Sequence, residues 1–204
     1  MDYTMKADMN MNRIEEAIGQ SIAVKQAILA DTRLMQTVGE AASRIEQSLR
    51  AGGKIHFCGN GGSAADAQHL AAELSGRFYF DRPPLNAEAL HCNTSYLTAV
   101  GNDYGYEHIF ARLLRGTAKQ GDVLVGISTS GNSHNILEAY KVCLEMGIGI
   151  ISLTGAAGGK MKDYGGLLLN VPSTDTPRIQ ECHIMLGHII CELVESAIFG
   201  EWKR

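Results

Sequence analysis

The sequence predicts an α/β fold: a domain with a central, mostly parallel sheet flanked by helices, and with a helical N-terminal extension. Short apolar runs alternate with segments of helical periodicity beyond residue 53. The predicted strands are apolar throughout rather than alternating, which is typical of parallel strands covered on both faces. Before the first strand, apolar residues recur at helical spacing, and this pattern predicts the extension.

The helical extension spans residues 12–52. Ile14, Ile18 and Ile22 lie at four-residue steps and place an apolar stripe along the helix. Asp31 with Thr32 can divide the extension into two helices, and the glycine pair at 52–53 ends it. Residues 1–11 are polar and rich in methionine, and we expect them to be frayed.

Residues 53–204 are expected to form the remaining domain, in which strands and helices alternate. We predict strands at 54–58, 85–90, 122–128, 149–154 and 166–171. We predict helices at 63–78, 94–100, 106–116, 133–146 and 176–199. The N-terminal, middle and C-terminal helices carry more apolar surface than one sheet face can bury, so we expect the chain to self-associate.

Composition and charge disfavour several classes of protein. Of the 204 residues, 45% are hydrophobic and 20% charged, as in an ordinary soluble globular protein. With 18 basic and 22 acidic residues, the chain lacks the overall positive charge of a duplex-binding protein. The longest apolar run, 146–153, is too short to cross a membrane, and the N-terminus shows no apolar signal segment. Five cysteines without a CxxC pair predict reduced thiols in a cytosolic protein.

The segment 126–133, Gly-Ile-Ser-Thr-Ser-Gly-Asn-Ser, is a candidate phosphate site, which we call the hydroxyl turn. It joins a predicted strand to a predicted helix, and its hydroxyls belong to Ser128, Thr129, Ser130 and Ser133. Backbone N–H groups at a helix start favour an anion, and hydroxyls can complete the cradle without a fixed positive charge. Asn132 stands where a nucleoside-triphosphate loop needs lysine, which disfavours that ligand. The simpler alternative is a turn in which Ser133 only caps the helix.

The segment 58–63, Cys-Gly-Asn-Gly-Gly-Ser, also leads from a strand into a helix, and we call it the glycine turn. Gly59, Gly61 and Ala64 match the dinucleotide-binding pattern GxGxxA. The acid that should bind the ribose is missing from a strand end, because Asp81 falls in a loop. The glycines are better explained by the close approach of a substrate to the backbone.

Acid–base and metal candidates lie on two predicted helices. His69 and Glu73 are four residues apart on one helix face. Gln180 and His188 lie on the last helix, about 80° apart around its axis. The four side chains can converge on one cleft, where two histidines and a carboxylate are ordinary zinc ligands and glutamine an uncommon one.

Each of these candidates has a simpler alternative. A histidine on an apolar helix is more often a hydrogen-bonded structural residue. Glu73 can pair with Arg77, its neighbour one helical turn later. Asn102 and Asp103 follow a predicted helix and can form an ordinary turn.

Taken together, six motifs resemble the SIS sugar-isomerase fold family, and within it the phosphoheptose isomerases. They are Cys-Gly-Asn-Gly-Gly-Ser at 58–63, Asp-Ala-Gln-His-Leu-Ala-Ala-Glu-Leu at 66–74, Gly-Asn-Asp at 101–103, Gly-Ile-Ser-Thr-Ser-Gly-Asn-Ser at 126–133, Leu-Thr-Gly at 153–155 and Arg-Ile-Gln-Glu-Cys-His at 178–183. The resemblance extends from about residue 14 to residue 199, nearly the whole chain, so 53–204 is expected to be the SIS sugar-phosphate-binding domain.

The resemblance implies a set of site residues. The residues implied to hold the phosphate are Ser128, Thr129, Ser130 and Ser133. Those implied to line the sugar are Asn60, Gly61 and Gly62, with Asn102 and Asp103 opposite, and Glu73 and Gln180 also contact the substrate. The positions implied to bind one zinc ion per subunit are His69, Glu73, Gln180 and His188. Glu73 and His188 match the family's acid–base pair, and which of them takes the carbon-bound proton is open.

The resemblance also implies a reaction and a setting. The family converts sedoheptulose 7-phosphate to D-glycero-D-manno-heptose 7-phosphate through an enediol, the first step toward ADP-heptose for the lipopolysaccharide core. It implies a cytoplasmic homotetramer with active sites at subunit interfaces, a small sugar phosphate as ligand, and neither nucleic acid nor membrane as partner. One position departs from some members, which carry an acid where this chain has Pro177.

Two other functions are compatible with the same family. A sister group is non-catalytic, binds the bacterial replication initiator and has lost the residues equivalent to Glu73 and His188. Both residues are present here, which favours the enzyme. A regulator that senses sugar phosphates usually carries a DNA-binding domain, and this chain has no spare basic segment for one.

Overall fold

The structure is a computed structural model that describes residues 3–200, with side chains from residue 10 onward. Its strands are β1 (Ile55–Gly59), β2 (Ala87–Ala89), β3 (Val123–Ser128), β4 (Gly149–Thr154) and β5 (Leu167–Asn170). Its α-helices are α1 (Tyr3–Ala30), α2 (Thr32–Arg50), α3 (Gly62–Ser75), α4 (Thr94–Tyr104), α5 (Ile109–Thr117), α6 (His134–Met146) and α7 (Thr176–Phe199). Short 3₁₀ helices lie at Tyr106–His108 and Gly159–Tyr164.

All five strands pair in parallel in the order β2-β1-β3-β4-β5, which confirms the predicted fold class. β1 and β3 are neighbours, and Gly59 lies opposite Ile127 in their register. The glycine turn after β1 and the hydroxyl turn after β3 therefore leave the same edge of the sheet side by side. Ligands of open parallel sheets bind at this carboxyl edge.

The helices cover both faces of the sheet, as buried parallel strands require. One apolar cluster joins α2, α3 and α7 to one face, where Phe57, Val125 and Leu153 are buried. The other joins α4, α5 and α6 to the opposite face, where Leu124 and Ile150 are buried. In β1, β3 and β4 neighbouring residues belong to different clusters, so these three strands contribute to both cores.

Helix α3 ends at Ser75, three residues before its predicted end at 78. The guanidinium of Arg82 donates hydrogen bonds to the carbonyls of Glu73, Leu74 and Gly76, at 2.9, 2.7 and 2.9 Å. These carbonyls therefore find partners outside the helix, and the helix can stop there. The sequence pattern did not show this, because the capping group comes from a later loop.

Other predicted elements also differ from the structure. Helix α4 ends at Tyr104 instead of at the predicted residue 100. The strand predicted at 85–90 is reduced to the three residues of β2, an edge strand that pairs only with β1. The helix predicted at 106–116 is divided into the 3₁₀ helix Tyr106–His108 and α5. The 3₁₀ helix Gly159–Tyr164 was not predicted. It follows glycines at φ +71° and +53°, and such single turns have little periodicity to read.

The N-terminal extension is helical and is divided at Asp31, as predicted. The Asp31 carboxylate accepts hydrogen bonds from the N–H groups of Arg33 and Leu34, at 3.1 and 3.0 Å, and so caps α2. Helix α1 begins at Tyr3 rather than at residue 12. Met1 and Asp2 lie outside the described residues, and both the expected fraying of 1–11 and the proposed domain boundaries stay predictions.

Helix α7 is apolar enough, by length and composition alone, to be considered as a membrane span. In the structure, 44% of its most apolar window is buried inside the protein. The helix packs against α2 and α3 and belongs to the apolar core on that face of the sheet. Its apolar character is therefore accounted for by core packing.

A buried polar pair lies at the amino ends of the strands, opposite the carboxyl edge. His56 Nε2 is 3.2 Å from Asp122 Oδ2, and the two side chains are 0% and 1% exposed. Asp122 also accepts hydrogen bonds from the N–H groups of Lys54 and Lys119, at 2.9 and 3.0 Å. Burial lowers the pKa of His56, although the hydrogen bond and the charge of Asp122 oppose this shift.

Because His183 is buried, we expect the free energy of unfolding to decrease in acid. Its Nε2 lies 3.1 Å from the carbonyl of Thr154, while its Nδ1 is buried without a partner. Burial lowers its pKa to about 4, below the 6.5 of the unfolded chain, so only the unfolded chain takes up a proton between these values. We expect this residue to remove up to about 3 kcal/mol of stability as the pH falls from 6.5 to 4.

Urea unfolding at several pH values measures this effect. His183→Gln keeps a donor for Thr154 but does not titrate, so its stability should depend less steeply on pH than that of the parent. Parallel curves for the two proteins would contradict the prediction.

Candidate active site

The acid–base candidates meet where α3 packs against α7. His69 Nε2 is 3.0 Å from Glu73 Oε1 and 3.0 Å from His188 Nε2. His69 and Glu73 lie one helical turn apart on α3, whereas His188 comes from the middle of α7. The His69 side chain is 51% exposed and that of Glu73 21%, so the cluster opens to solvent on one side. We call these three residues the acid–base cluster.

The acid–base cluster has the donor set of a metal site. Its two imidazole nitrogens and its carboxylate oxygen all lie within 4.8 Å of one another. These are ordinary zinc ligands. Glu73 forms its ion pair with His69, and the simpler Glu73–Arg77 pair does not occur among the described residues.

Gln180, the fourth predicted ligand, lies against the first residue of α3. A Cβ added to Gly62 would stand 2.5 Å from Gln180 Nε2 and 3.0 Å from its Oε1. A larger residue at position 62 would displace the amide from this place. The Gln180 side chain therefore extends from α7 to the start of α3, the helix that carries His69 and Glu73.

His188 is partly buried, and its surroundings shift its pKa. Burial lowers its pKa, the charge of His69 lowers it further, and the charge of Glu73 raises it. Its ring lies 5.9 Å from that of Phe78, which covers one side of it. At neutral pH His188 is therefore neutral, with one nitrogen that donates and one that accepts a hydrogen bond.

The hydroxyl turn forms a compact cluster at the start of α6. Ser128 Oγ lies 2.9 Å from Ser133 Oγ and 3.4 Å from Ser130 Oγ. Ser133 occupies the N-cap position but makes no capping hydrogen bond with its side chain, which is turned toward Ser128. Ser133 therefore caps the helix by position, but its hydroxyl is not used for the cap. The carbonyl of Thr129 accepts a hydrogen bond from Gly155 N–H at 3.0 Å, which ties the turn to the end of β4.

An asparagine pair links the glycine turn to α6. Asn60 Nδ2 donates to Asn135 Oδ1 at 2.9 Å, and Asn135 Nδ2 donates back to Asn60 Oδ1 at 2.8 Å. The Tyr106 hydroxyl also donates to Asn60 Oδ1, at 3.2 Å. Neither Asn135 nor Tyr106 was predicted as a site residue. The available signal was that Asn135 is an amide in the first turn of the helix that follows the hydroxyl turn.

In the glycine turn, Gly61 leaves the backbone open, whereas a Cβ added to Gly59 would stand 2.3 Å from the carbonyl oxygen of Ser63. Gly61 has φ +56° and precedes α3, and an added Cβ there would meet nothing within 4 Å. Asp81 is exposed in the coil between α3 and β2. Because it does not end a strand, the structure offers no ribose-binding acid there, and the dinucleotide alternative is not supported.

Asn102 and Asp103 are the predicted site residues that the structure does not connect to the rest. They lie exposed at the end of α4, where Asn102 Nδ2 donates to Asp103 Oδ1 at 2.8 Å. Within the described part of the chain, no hydrogen bond links them to the other predicted residues. Their segment reaches the site through Tyr106, which bonds to Asn60.

Known proteins are similar to this chain over most of its length. The family model described as SIS domain matches residues 19–155. A protein named phosphoheptose isomerase from Aneurinibacillus thermoaerophilus is 55% identical over 186 residues, covering 91% of this chain and 94% of that protein.

Solved structures of phosphoheptose isomerases have the same fold. That from Neisseria gonorrhoeae has a TM-score of 0.85 at 46% identity, and covers 91% of this chain and 98% of its own. That from Francisella tularensis has a TM-score of 0.88 at 35% identity, and covers 92% of this chain and 98% of its own.

Proposed function

This chain belongs to the phosphoheptose isomerases of the SIS domain family, and from that premise we propose how its side chains carry out the reaction. The protein is an aldose–ketose isomerase that acts on sedoheptulose 7-phosphate. One observation supports the proposed mechanism: where α3 packs against α7, His69 lies 3.0 Å from the Glu73 carboxylate and 3.0 Å from the His188 imidazole.

Isomerisation moves a carbonyl group from C2 to C1 of the sugar. Glu73 removes a proton from C1, and His188 delivers a proton to the oxygen on C2, which gives an enediol. Glu73 then returns its proton to C2 while His188 takes the proton from the oxygen on C1, which leaves the aldehyde. Two groups at neighbouring positions are sufficient for these transfers. Glu73 Oε1 faces His69, and Oε2 is the oxygen we assign to the carbon-bound proton.

The hydroxyl turn is proposed to hold the phosphate. The hydroxyls of Ser128, Ser130 and Ser133 lie within 3.4 Å of their neighbours, at the start of α6, where helix N-termini attract anions. Thr129 is proposed to take part as well. Binding at this turn is proposed to direct the sugar chain toward the glycine turn, which leaves the neighbouring strand.

The remaining predicted residues are proposed to contact the sugar. Asn60, Gly61 and Gly62 are proposed to line the sugar at the glycine turn, where Gly61 is open. Glu73 and Gln180 are proposed to lie at the reacting end. Asn102 and Asp103 are proposed to lie opposite them. Because both are exposed at the end of α4, this role requires their segment to approach a bound sugar or a neighbouring subunit.

One zinc ion per subunit is proposed at the acid–base cluster, with Gln180 as a further ligand. The two imidazoles and the carboxylate are the support for this assignment. When bound, zinc would supply a Lewis acid for the oxygens on C1 and C2. The protein groups still orient the sugar and move the protons.

We propose a homotetramer with active sites at its interfaces. Ile14, Ile18 and Ile22 form a stripe on α1 and are each at least 50% exposed, which leaves an apolar face to be covered. The acid–base cluster is also open on one side, as a site completed by a neighbour would be. Light scattering on the purified protein should give four times the mass of one chain.

The setting is proposed to be the cytoplasm, and the product is proposed to supply ADP-heptose for the lipopolysaccharide core. All five cysteines are free in the structure, and four of them are buried, which suits a reducing compartment. The soluble sugar phosphate needs no membrane or nucleic-acid surface for recognition.

Removal of metal is expected to abolish turnover. Sedoheptulose 7-phosphate is followed by NMR with the untreated protein, with protein stripped by a chelator, and with stripped protein given Zn²⁺. Conversion to an aldoheptose 7-phosphate should be absent in the stripped protein and should return when Zn²⁺ is added. Far-UV circular dichroism and light scattering on each sample check that the folded oligomer is retained.

Two outcomes would contradict the proposal. Full turnover by metal-free protein would show that zinc is not required. No turnover by a folded, zinc-loaded oligomer would oppose the assigned catalytic roles and would favour the non-catalytic alternative, which a binding assay with the replication initiator can test.

A further inference from the structure

A buried ion pair lies behind the acid–base cluster. Arg82 Nε donates to Glu195 Oε1 at 2.8 Å, and the two side chains are 2% and 1% exposed. Arg82 comes from the coil after α3, and Glu195 from the last two turns of α7. Burying two charges is costly unless every donor and acceptor finds a partner, so the other contacts of the pair show what it does.

The Arg82 guanidinium holds the end of α3. Its Nη2 donates to the carbonyl of Glu73 at 2.9 Å, and its Nη1 donates to those of Leu74 and Gly76 at 2.7 and 2.9 Å. Glu73 carries the carboxylate of the acid–base cluster. One planar side chain therefore bonds directly to the backbone of that residue and to the turn behind it.

The Glu195 carboxylate holds the segment that covers His188. Its Oε1 accepts from Phe78 N–H at 3.1 Å, and its Oε2 accepts from Tyr79 N–H at 2.8 Å. The Phe78 ring lies 5.9 Å from the His188 ring. Glu195 lies seven residues after His188 on α7, so the two residues are on the same side of that helix.

We propose that the Arg82–Glu195 pair is a positioning element of the isomerase, which holds Glu73 and His188 in register across the α3–α7 contact. The pair itself touches neither the sugar nor the metal ligands' side chains. It connects the backbone of Glu73, through two charges, to the helix that carries His188. This inference rests on the proposed roles of Glu73 and His188.

The chemistry of the pair explains why arginine is needed. Arg82 bonds to three carbonyls at the end of α3 and to the Glu195 carboxylate. A guanidinium can do this because it offers five N–H groups in one plane. Lysine keeps the charge but offers a single nitrogen, so it cannot bond to Glu195 and to the Glu73 carbonyl with the same geometry. A displacement of about 1 Å at catalytic groups can cost roughly 10²-fold in rate.

The test compares Arg82→Lys and Glu195→Gln with a matched control, Asp122→Asn. The control alters a second buried charged pair, His56–Asp122, which shares no hydrogen bond with α3 or α7 among the described residues. For each protein we would measure kcat, KM, the thermal midpoint and the dissociation constant for Zn²⁺ alone. A double variant, Arg82→Gln with Glu195→Gln, leaves no unpaired buried charge and provides a folded sample if the single variants unfold.

Arg82→Lys and Glu195→Gln should lower kcat by roughly 10- to 100-fold and leave KM within about 3-fold. Zn²⁺ binding should weaken by roughly 10-fold or more. Asp122→Asn should lower the thermal midpoint as much as these variants but change kcat by less than about 2-fold. If the pair had only a structural role, its variants would have a lower thermal midpoint but would not combine a lower kcat with an unchanged KM.

Two results would overturn the inference. If folded Arg82→Lys, Glu195→Gln or double-variant protein keeps kcat and Zn²⁺ affinity, the pair does not position the site. A Glu73→Gln variant tested in parallel separates the two proposals. If Glu73→Gln is inactive while the pair variants stay active, only the positioning role fails. If Glu73→Gln stays active, the proposed catalytic role fails and the positioning role fails with it.

Discussion

Glu73→Gln is expected to lower kcat by roughly 10²- to 10⁴-fold, the usual contribution of one general acid or base. Glutamine has nearly the shape of glutamate, and its Oε1 can still face His69, which in the structure lies 3.0 Å from the carboxylate. What the variant loses is the ability to accept the carbon-bound proton. Turnover of sedoheptulose 7-phosphate, followed by NMR at saturating substrate and Zn²⁺, measures the change.

The matched control for this prediction is Glu145→Gln. It makes the same chemical change on α6, where Glu145 pairs with Arg115 at an exposed position away from the acid–base cluster. Its kcat should match that of the parent. Glu73→Gln must also keep its oligomeric state and its zinc content. Full turnover under those conditions would show that Glu73 is not the base and would leave His188 as the candidate.

Ser130→Ala combined with Ser133→Ala is expected to weaken binding of the sugar phosphate by roughly 10²-fold or more. Each hydroxyl would donate a charge-assisted hydrogen bond to the phosphate, worth about 1.5–3 kcal/mol. Both side chains are accessible in the structure, so their removal should leave the fold intact. KM should rise and kcat should change little, because the reacting carbons lie at the other end of the sugar.

Inhibition by inorganic phosphate gives a second measurement of the same site. Its inhibition constant should rise in parallel with KM in the double serine variant. Ser43→Ala, at an exposed position on α2, is the control and should alter neither constant. An unchanged KM in the double variant would show that the hydroxyl turn does not hold the phosphate.

Much of the fold could be predicted because it depends on neighbouring residues. The apolar runs that became β1, β3 and β4 and the capping aspartate Asp31 are local features, and all appear in the structure. The predictions were less accurate where a distant group acts on an element. Helix α3 stops early because Arg82 bonds to its last carbonyls, and β2 is short because it has one neighbouring strand.

For the candidate site, too, residues close along the chain could be predicted together, whereas contacts between distant residues could not. The sequence alone indicated His69 with Glu73, one turn apart on a helix, and the serines of the hydroxyl turn, since these sets are close along the chain. It could suggest but not establish that His188, 119 residues from His69, would lie 3.0 Å away. The Asn60–Asn135 pair, 75 residues apart, was not foreseen at all.

By itself, then, the sequence determined the fold class, the family and the residue types that can do the chemistry, because periodicity and motifs are properties of consecutive residues. Only the tertiary structure decided which of these side chains meet, since the packing of α3 against α7 and the strand order place them. It also revealed the Arg82–Glu195 pair. Two isolated charges carry no signal in a sequence, and their role depends on the carbonyls and N–H groups that the fold brings around them.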